Sequence, residues 1–274
     1  MSEDRAETAP DADAIARLDT GVPHIARVYD YWLGGKDNFA ADRAAGDAFA
    51  EAVPSIVAGV RECRAFLVRV VQFLAGEAGV RQFLDIGTGL PTADNTHETA
   101  QRAVPESRVV YVDNDPLVLA HARALLTSGP QGRTAYLDAD LRDPGTILQA
   151  AARTLDFSRP VAVMLVGVLH CIPDDGDPWA IVQRLMAAVP PGSYLVVGAP
   201  ASDIQAEEVA EGAAGLNARL AEPVTFRSRS QFARYLDGLE VLEPGIVQYP
   251  QWRPGPGAGP VPDSPAWCAV ARKN

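Results

Sequence analysis

Phe83-Leu84-Asp85-Ile86-Gly87-Thr88-Gly89-Leu90-Pro91-Thr92 runs from apolar residues into a carboxylate and two glycines, and residues 93–102 behind it suit a helix. A strand that hands over to a helix across so tight a turn belongs to an open α/β sheet, where such turns receive nucleotide-like ligands. Glycine at 87 and 89 permits backbone angles closed to other residues and lets a ligand approach the main chain. A Gly-x-Gly-x-x-Gly dinucleotide fingerprint starting at Gly87 needs its third glycine where this chain has Thr92. Asp85 would also set a negative charge beside a pyrophosphate, which such turns meet with bare N–H groups. Both residues argue against a nicotinamide-dependent oxidoreductase.

An acidic residue ahead of Gly-x-Gly resembles motif I of the class I S-adenosylmethionine-dependent methyltransferases. S-adenosylmethionine carries an ammonium and a sulfonium rather than a phosphate, and a carboxylate attracts both. The charge signs therefore favour a methyl donor as the ligand of this turn.

The chain of 274 residues is long enough for one α/β domain with a well-buried core. Acidic residues outnumber basic ones, 35 against 24, for a net charge of -11. General attraction to phosphate backbones is thereby disfavoured, and a nucleic-acid substrate with it. Cys63, Cys171 and Cys268 are far apart and odd in number, which fits neither a disulfide framework nor a paired-cysteine zinc site. Each reads as a small buried hydrophobe. No apolar run reaches the roughly 18 residues of a membrane span, and the acidic, polar start is unlike a signal peptide. The expectation is a soluble cytoplasmic protein that holds no metal.

Residues 1–20 read as a flexible tail, charged and short of large hydrophobes. Residues 21–274 read as a single domain, with a helical extension over 21–78 before a sheet-containing core over 79–274. Ile25, Val28, Tyr29 and Trp32 fall at helical spacing, and the pair Gly34-Gly35 ends that helix. Helices are predicted over 40–52 and 55–76. The aromatic-rich segment 24–43 reads either as a helix packed on the core or as a lid over the ligand, with Gly34-Gly35 as hinge or close-contact point.

Further strands are predicted over 108–113, 133–140, 160–169, 194–198, 239–242 and 267–271, with helices from 116 to 125, 179 to 189, 207 to 220 and 230 to 236. The near-unbroken apolar run at 160–169 suits a central parallel strand covered on both faces. The last two strands follow one another without a helix, so they form an antiparallel pair at the C-terminal edge. A Pro/Gly-rich loop over 250–265 separates them.

Asp113 ends the second strand, where an acid grips both ribose hydroxyls; Asn114 adjoins it, and Asp115 caps the helix opening at Pro116. Asp138 and Asp140 alternate onto one face of the third strand, so periodicity does not choose between them for the adenine. Asp143 reads as a plain cap. The run at 160–169 brings Gly167, which leaves room for a ligand, and His170, a potential proton acceptor, to the sheet's edge. Val168-Leu169-His170 with Ile172-Pro173-Asp174-Asp175 also occurs widely in methyltransferases, where the histidine often only packs.

Tyr29-Asp30-Tyr31-Trp32-Leu33-Gly34-Gly35-Lys36-Asp37-Asn38 resembles the hallmark of an actinobacterial S-adenosylmethionine-dependent methyltransferase family formerly of unknown function. The resemblance continues through Leu90-Pro91-Thr92, Asn95-Thr96-His97-Glu98, Asp140-Leu141-Arg142-Asp143-Pro144, Glu243-Pro244-Gly245 and Trp252-Arg253-Pro254, from about Pro23 to the C-terminus. It implies a Rossmann-like class I methyltransferase fold with a seven-stranded, mostly parallel sheet and an antiparallel C-terminal edge strand. It favours Asp140 with Leu141 for the adenine. The donor-binding set it implies is Asp85, Gly87, Gly89, Pro91, Asp113, Asn114, Asp140, Leu141, Gly167, Tyr29, Gly34 and Gly35. His170, Tyr31 and His97 are the candidate bases.

Two functions are compatible with this reading. One is methyl transfer from S-adenosylmethionine to oxygen or nitrogen of a small molecule. The chemistry needs alignment and desolvation more than a triad or a metal, and no such cluster is visible. The other is a non-catalytic sensor of S-adenosylmethionine or S-adenosylhomocysteine. A sealed pocket without polar groups on its acceptor side would favour the sensor.

Overall fold

Strand β1 (Gln82–Ile86) is buried at every position, so it needs neighbours on both sides and layers on both faces. In the computed structural model, which describes residues 19–91, 94–118, 128–255 and 263–274, it has all of them. β2 (Arg108–Asp113) and β4 (Ala162–Val166) flank it in parallel, and β3 (Arg133–Asp138) lies outside β2. β5 (Tyr194–Pro200) continues the sheet beyond β4, again in parallel. β7 (Ala266–Arg272) then runs antiparallel between β5 and the two-residue β6 (Glu240–Val241). The order is β3-β2-β1-β4-β5-β7-β6. The strand order reverses between β1 and β4, and in open α/β sheets ligands bind at that point, outside the strands' carboxyl ends.

Alternation along the strands feeds two cores. Leu84, Ile86, Val110, Val163 and Leu195 face one side, against helices α5 (Pro144–Ala151), α6 (Pro178–Ala187) and α8 (Arg229–Ala233). Phe83, Val109, Met164 and Val196 face the other, against Phe66, Val70 and Leu74 of helix α3 (Ile56–Gly76). A third apolar cluster joins α1 (Ile25–Leu33), α2 (Ala40–Ala52), the start of α3 and α7 (Ala206–Asn217) through Val28, Trp32, Phe49, Val60, Val209 and Leu216. Burying one such side chain contributes roughly 1.5–3 kcal/mol, against about 0–1 kcal/mol for an exposed ion pair. Apolar packing therefore holds the N-terminal helices in place.

Helix α2 and strand β2 keep their expected bounds. α4 (Thr96–Ala103) starts later than the sequence suggested, because Asn95 is extended and Glu98 returns to its N–H in a capping box. β4 stops at Val166 because Gly167 turns to φ 79, and a 3₁₀ turn over Leu169–Cys171 follows. β3 ends at Asp138, two residues short of the expected 140. Helix α5 was not anticipated: Asp143 caps it through the Thr146 amide, with Pro144 in its first turn. Residues 1–18 of the expected tail, Thr92, the part of the expected 116–125 helix beyond Val118 and residues 256–262 of the Pro/Gly-rich loop lie outside the described residues. Among the described residues no helix is long and apolar enough to cross a membrane.

Candidate active site

The turn after β1 is held in place from both sides. Gly87 sits at φ 73 and donates its N–H to Val112 O at 2.8 Å. A Cβ there would collide with Val168, so the loop after β4 can close over β1 only with glycine at 87. Gly89, at φ 66, donates its N–H to Asp113 Oδ2 at 2.9 Å, and a Cβ on it would meet open space. Asp113 Oδ1 accepts from the Asp115 amide at 2.9 Å. An ionised carboxylate has about four acceptor sites, so Asp113 spans β1 and β2 and still has capacity for a ligand's hydroxyls.

A cavity of about 340 Å³ opens over this turn. Asp85, Gly87, Gly89, Asp113, Asn114, Asp140, Leu141, Gly167 and His170 all line it, and so does Tyr29 from α1. Asp140 belongs to the wall, whereas the exposed Asp138 does not. Arg142 donates to Asp140 Oδ2 at 3.0 Å and to Glu222 Oε2 at 2.5 Å, tying the strand end to the segment after α7. His24 Nδ1 reaches Asp115 Oδ2 at 3.0 Å and so pins the start of α1 beside the second-strand acid. Asp115 itself caps the helix opening at Pro116 through the Leu117 amide at 2.8 Å.

Burial sets the charges. It pushes the Asp85 carboxyl up to about 6, although Thr96 Oγ1 donates to it at 2.6 Å and the Arg64 guanidinium opposes the rise. It also raises Asp113 against the pull of the two amides. Burial would raise Asp115 too, but His24 and the Leu117 amide outweigh it and hold that carboxyl below its usual value. His170 is pushed down to about 4, by burial first and by the Arg227 guanidinium second, so its imidazole is neutral at pH 7. Its Nδ1 is buried and has no hydrogen-bond partner.

Five sequence-derived candidates lie elsewhere. Tyr31 does not line the cavity; its hydroxyl donates to Asp47 Oδ1 at 2.7 Å on the exposed side of α1. Gly34 is the left-handed cap of α1, and Gly35 packs against Asp30, whose carboxylate accepts from the Asp37 amide and Asn38 Nδ2. The hallmark Asp30-to-Asn38 stretch is thus a self-bonded loop, and its glycines serve the turn instead of touching the cavity. Pro91 is also outside the lining. His97 contacts the Tyr111 hydroxyl at 2.9 Å within the core and does not reach the cavity.

The structure adds residues that the sequence reading had passed over, namely His24, Arg64, Arg142, Glu222 and Phe226. For Arg64 a signal was present. Val60, Arg64 and Leu67 fall at i, i+4 and i+7 on one face of α3, and a charge on an otherwise apolar face points to a ligand or an ion pair. Among the described residues no group of three or more His, Cys, Asp or Glu side chains is placed to hold a metal ion.

The S-adenosyl methyltransferase family model matches residues 11–274. This chain belongs to that family. S-adenosylmethionine is its cofactor, and the glycine turn with open space at Gly89 and Gly167 and with acceptor capacity at Asp113 fits such a ligand. A DUF574 family protein from Streptomyces avermitilis MA-4680 is 45% identical, with 94% of this chain and 100% of that one covered at a TM-score of 0.90. A methyltransferase candidate from Thermobifida fusca YX is 44% identical, with 93% and 97% covered and a TM-score of 0.86. The mitomycin 7-O-methyltransferase is 17% identical over 97% of this chain and 76% of its own, at a TM-score of 0.52, which is a likeness of fold alone. No curated protein matches the chain.

Proposed function

We propose that the protein transfers a methyl group to an oxygen or nitrogen atom of a small molecule bound in the crest cavity. The observation that carries this reading is that His170, with a neutral imidazole, is part of the cavity wall. A sensor of the donor needs no neutral base on the acceptor side.

Bound S-adenosylmethionine supplies an electrophilic methyl carbon on a sulfonium leaving group. The chain's own residues do the rest. Asp113 takes the ribose hydroxyls, and Asp140 with the Leu141 amide takes the adenine edge. Asp85 and Arg64, with charges opposite to the donor's ammonium and carboxylate, receive its amino-acid end. Gly167 leaves space at the end of β4, and His24 steadies the acid pair from above. His170 accepts the acceptor's proton, and the helices above the sheet exclude water and align the reacting atoms. The recessed, largely apolar cavity and the acidic surface favour a small molecule over a nucleic acid.

His170→Gln tests the assignment. Formation of S-adenosylhomocysteine across a panel of hydroxyl and amine compounds should fall about 10²-fold or more, while calorimetric affinity for S-adenosylhomocysteine stays within a factor of two. An unaltered rate would make the histidine structural.

A further inference from the structure

The acceptor side of the cavity has a composition of its own. Trp32 of α1, Phe49 of α2, Phe226 after α7 and His170 after β4 all line it. Their rings form a chain, with centroids 5.4 Å apart from Trp32 to Phe49, 6.1 Å from Phe49 to Phe226 and 6.3 Å from Phe226 to His170. Val209, Leu216 and Leu220 bring in the aliphatic side of α7. The charged lining groups lie elsewhere, at the donor turn and at the rim. Asp85 and Arg64 influence one another at the donor turn, and Arg142 bridges Asp140 and Glu222 at the exposed rim, where one negative charge is left over. A charged acceptor would have to leave water with no partner along this wall.

We infer, resting on the methyltransferase reading above, that the acceptor is a neutral aromatic compound bearing a phenol-type hydroxyl, seated along the ring chain with that hydroxyl toward the His170 imidazole. Ring faces and edges along the wall select a flat aromatic body. The imidazole at the end of the ring chain selects a group with a proton to lose. A phenolic O–H, ordinarily near about 10 as in tyrosine, yields its proton to a neutral imidazole far more readily than an aliphatic alcohol does. An alkyl amine would arrive as an ammonium and meet only apolar rings. In the step, the O–H bond breaks and its proton passes to the His170 imidazole. The oxygen's electron pair forms a bond to the methyl carbon of the sulfonium donor while the C–S bond breaks, its pair remaining on sulfur. A methyl ether and a neutral thioether result, and the imidazolium releases its proton to water.

The test uses the full chain. S-adenosylhomocysteine binding is measured first by calorimetry, and phenol, β-naphthol, β-naphthoate and cyclohexanol are then titrated into the complex. Turnover with S-adenosylmethionine is followed by mass detection of the methyl ether. β-Naphthol should bind at least about tenfold more tightly than β-naphthoate or cyclohexanol and give its methyl ether. Phe226→Ala should weaken β-naphthol about tenfold while S-adenosylhomocysteine affinity stays within twofold. If S-adenosylhomocysteine binds but β-naphthol does not, or if the naphthoate or cyclohexanol binds as tightly, the acceptor class is wrong and the donor site stands. Failure of S-adenosylhomocysteine to bind would remove the donor site and this inference together.

Discussion

Asp85, last but one in β1, and Asp113, last in β2, sit on neighbouring strands, yet their surroundings differ. Asp113 accepts two backbone N–H groups, whereas Asp85 has one hydroxyl from Thr96 and burial enough to bring it to about 6. A carboxylate so poorly compensated rewards a cationic ligand, and donor affinity should weaken as pH falls below about 6. The same shift marks stability. Between the ordinary carboxylate value of 3.8 and about 6 the folded chain binds more protons at Asp85 than the unfolded chain does, so this residue's contribution to stability falls as pH rises through that window. In the ligand-free protein, the melting temperature of Asp85→Asn minus that of the unaltered chain should therefore rise from pH 4 to about 6 and level off above it. A difference independent of pH would show that Asp85 is not perturbed. Both acids were legible in the sequence because each closes an apolar run. His24 and Phe226 were not, because no local period distinguishes a side chain that meets its partners only through tertiary packing.

At the scale of elements, the corner between α1 and α2 decides how the N-terminal segment sits over the sheet. Asp42 is fully buried and accepts from the His24 amide at 2.9 Å and the Phe39 amide at 2.8 Å, with Arg27 Nε at 3.3 Å. Removing one partner of such a buried pair leaves a charge without compensation. Asp42→Ala should cost about 3–5 kcal/mol in denaturant unfolding; a loss below about 1 kcal/mol would mean that the corner is held by apolar packing alone. The helices themselves were readable from spacing, and α2 kept its bounds. Their capping partners were less so. The start of α4 depended on the extended backbone of Asn95 and the reach of Glu98, and the end of β4 on the left-handed turn at Gly167. The double glycine after α1 read as a hinge or a close-contact point; in the structure it lies outside the cavity lining, in a turn whose Asp37 and Asn38 donate to the buried Asp30 carboxylate.

For the whole molecule, the sheet order places the crest of β1 and β4 at the reversal point, and the apolar, unbroken β4 already pointed to its central position. The roof over that crest could not be read from any one stretch, since α1, α2 and α7 come from opposite ends of the chain and share one apolar cluster. The donor is assigned to the floor of the resulting cavity by Asp85, the two glycines and Asp113. Calorimetric titration of the chain and of Asp113→Ala with S-adenosylhomocysteine, alongside NAD, tests that assignment most directly. The expected result is binding of S-adenosylhomocysteine that weakens about 10–100-fold in the variant, in keeping with the loss of one or two charge-assisted hydrogen bonds, and no binding of NAD. Tight NAD binding, or S-adenosylhomocysteine affinity unchanged by the substitution, would contradict it.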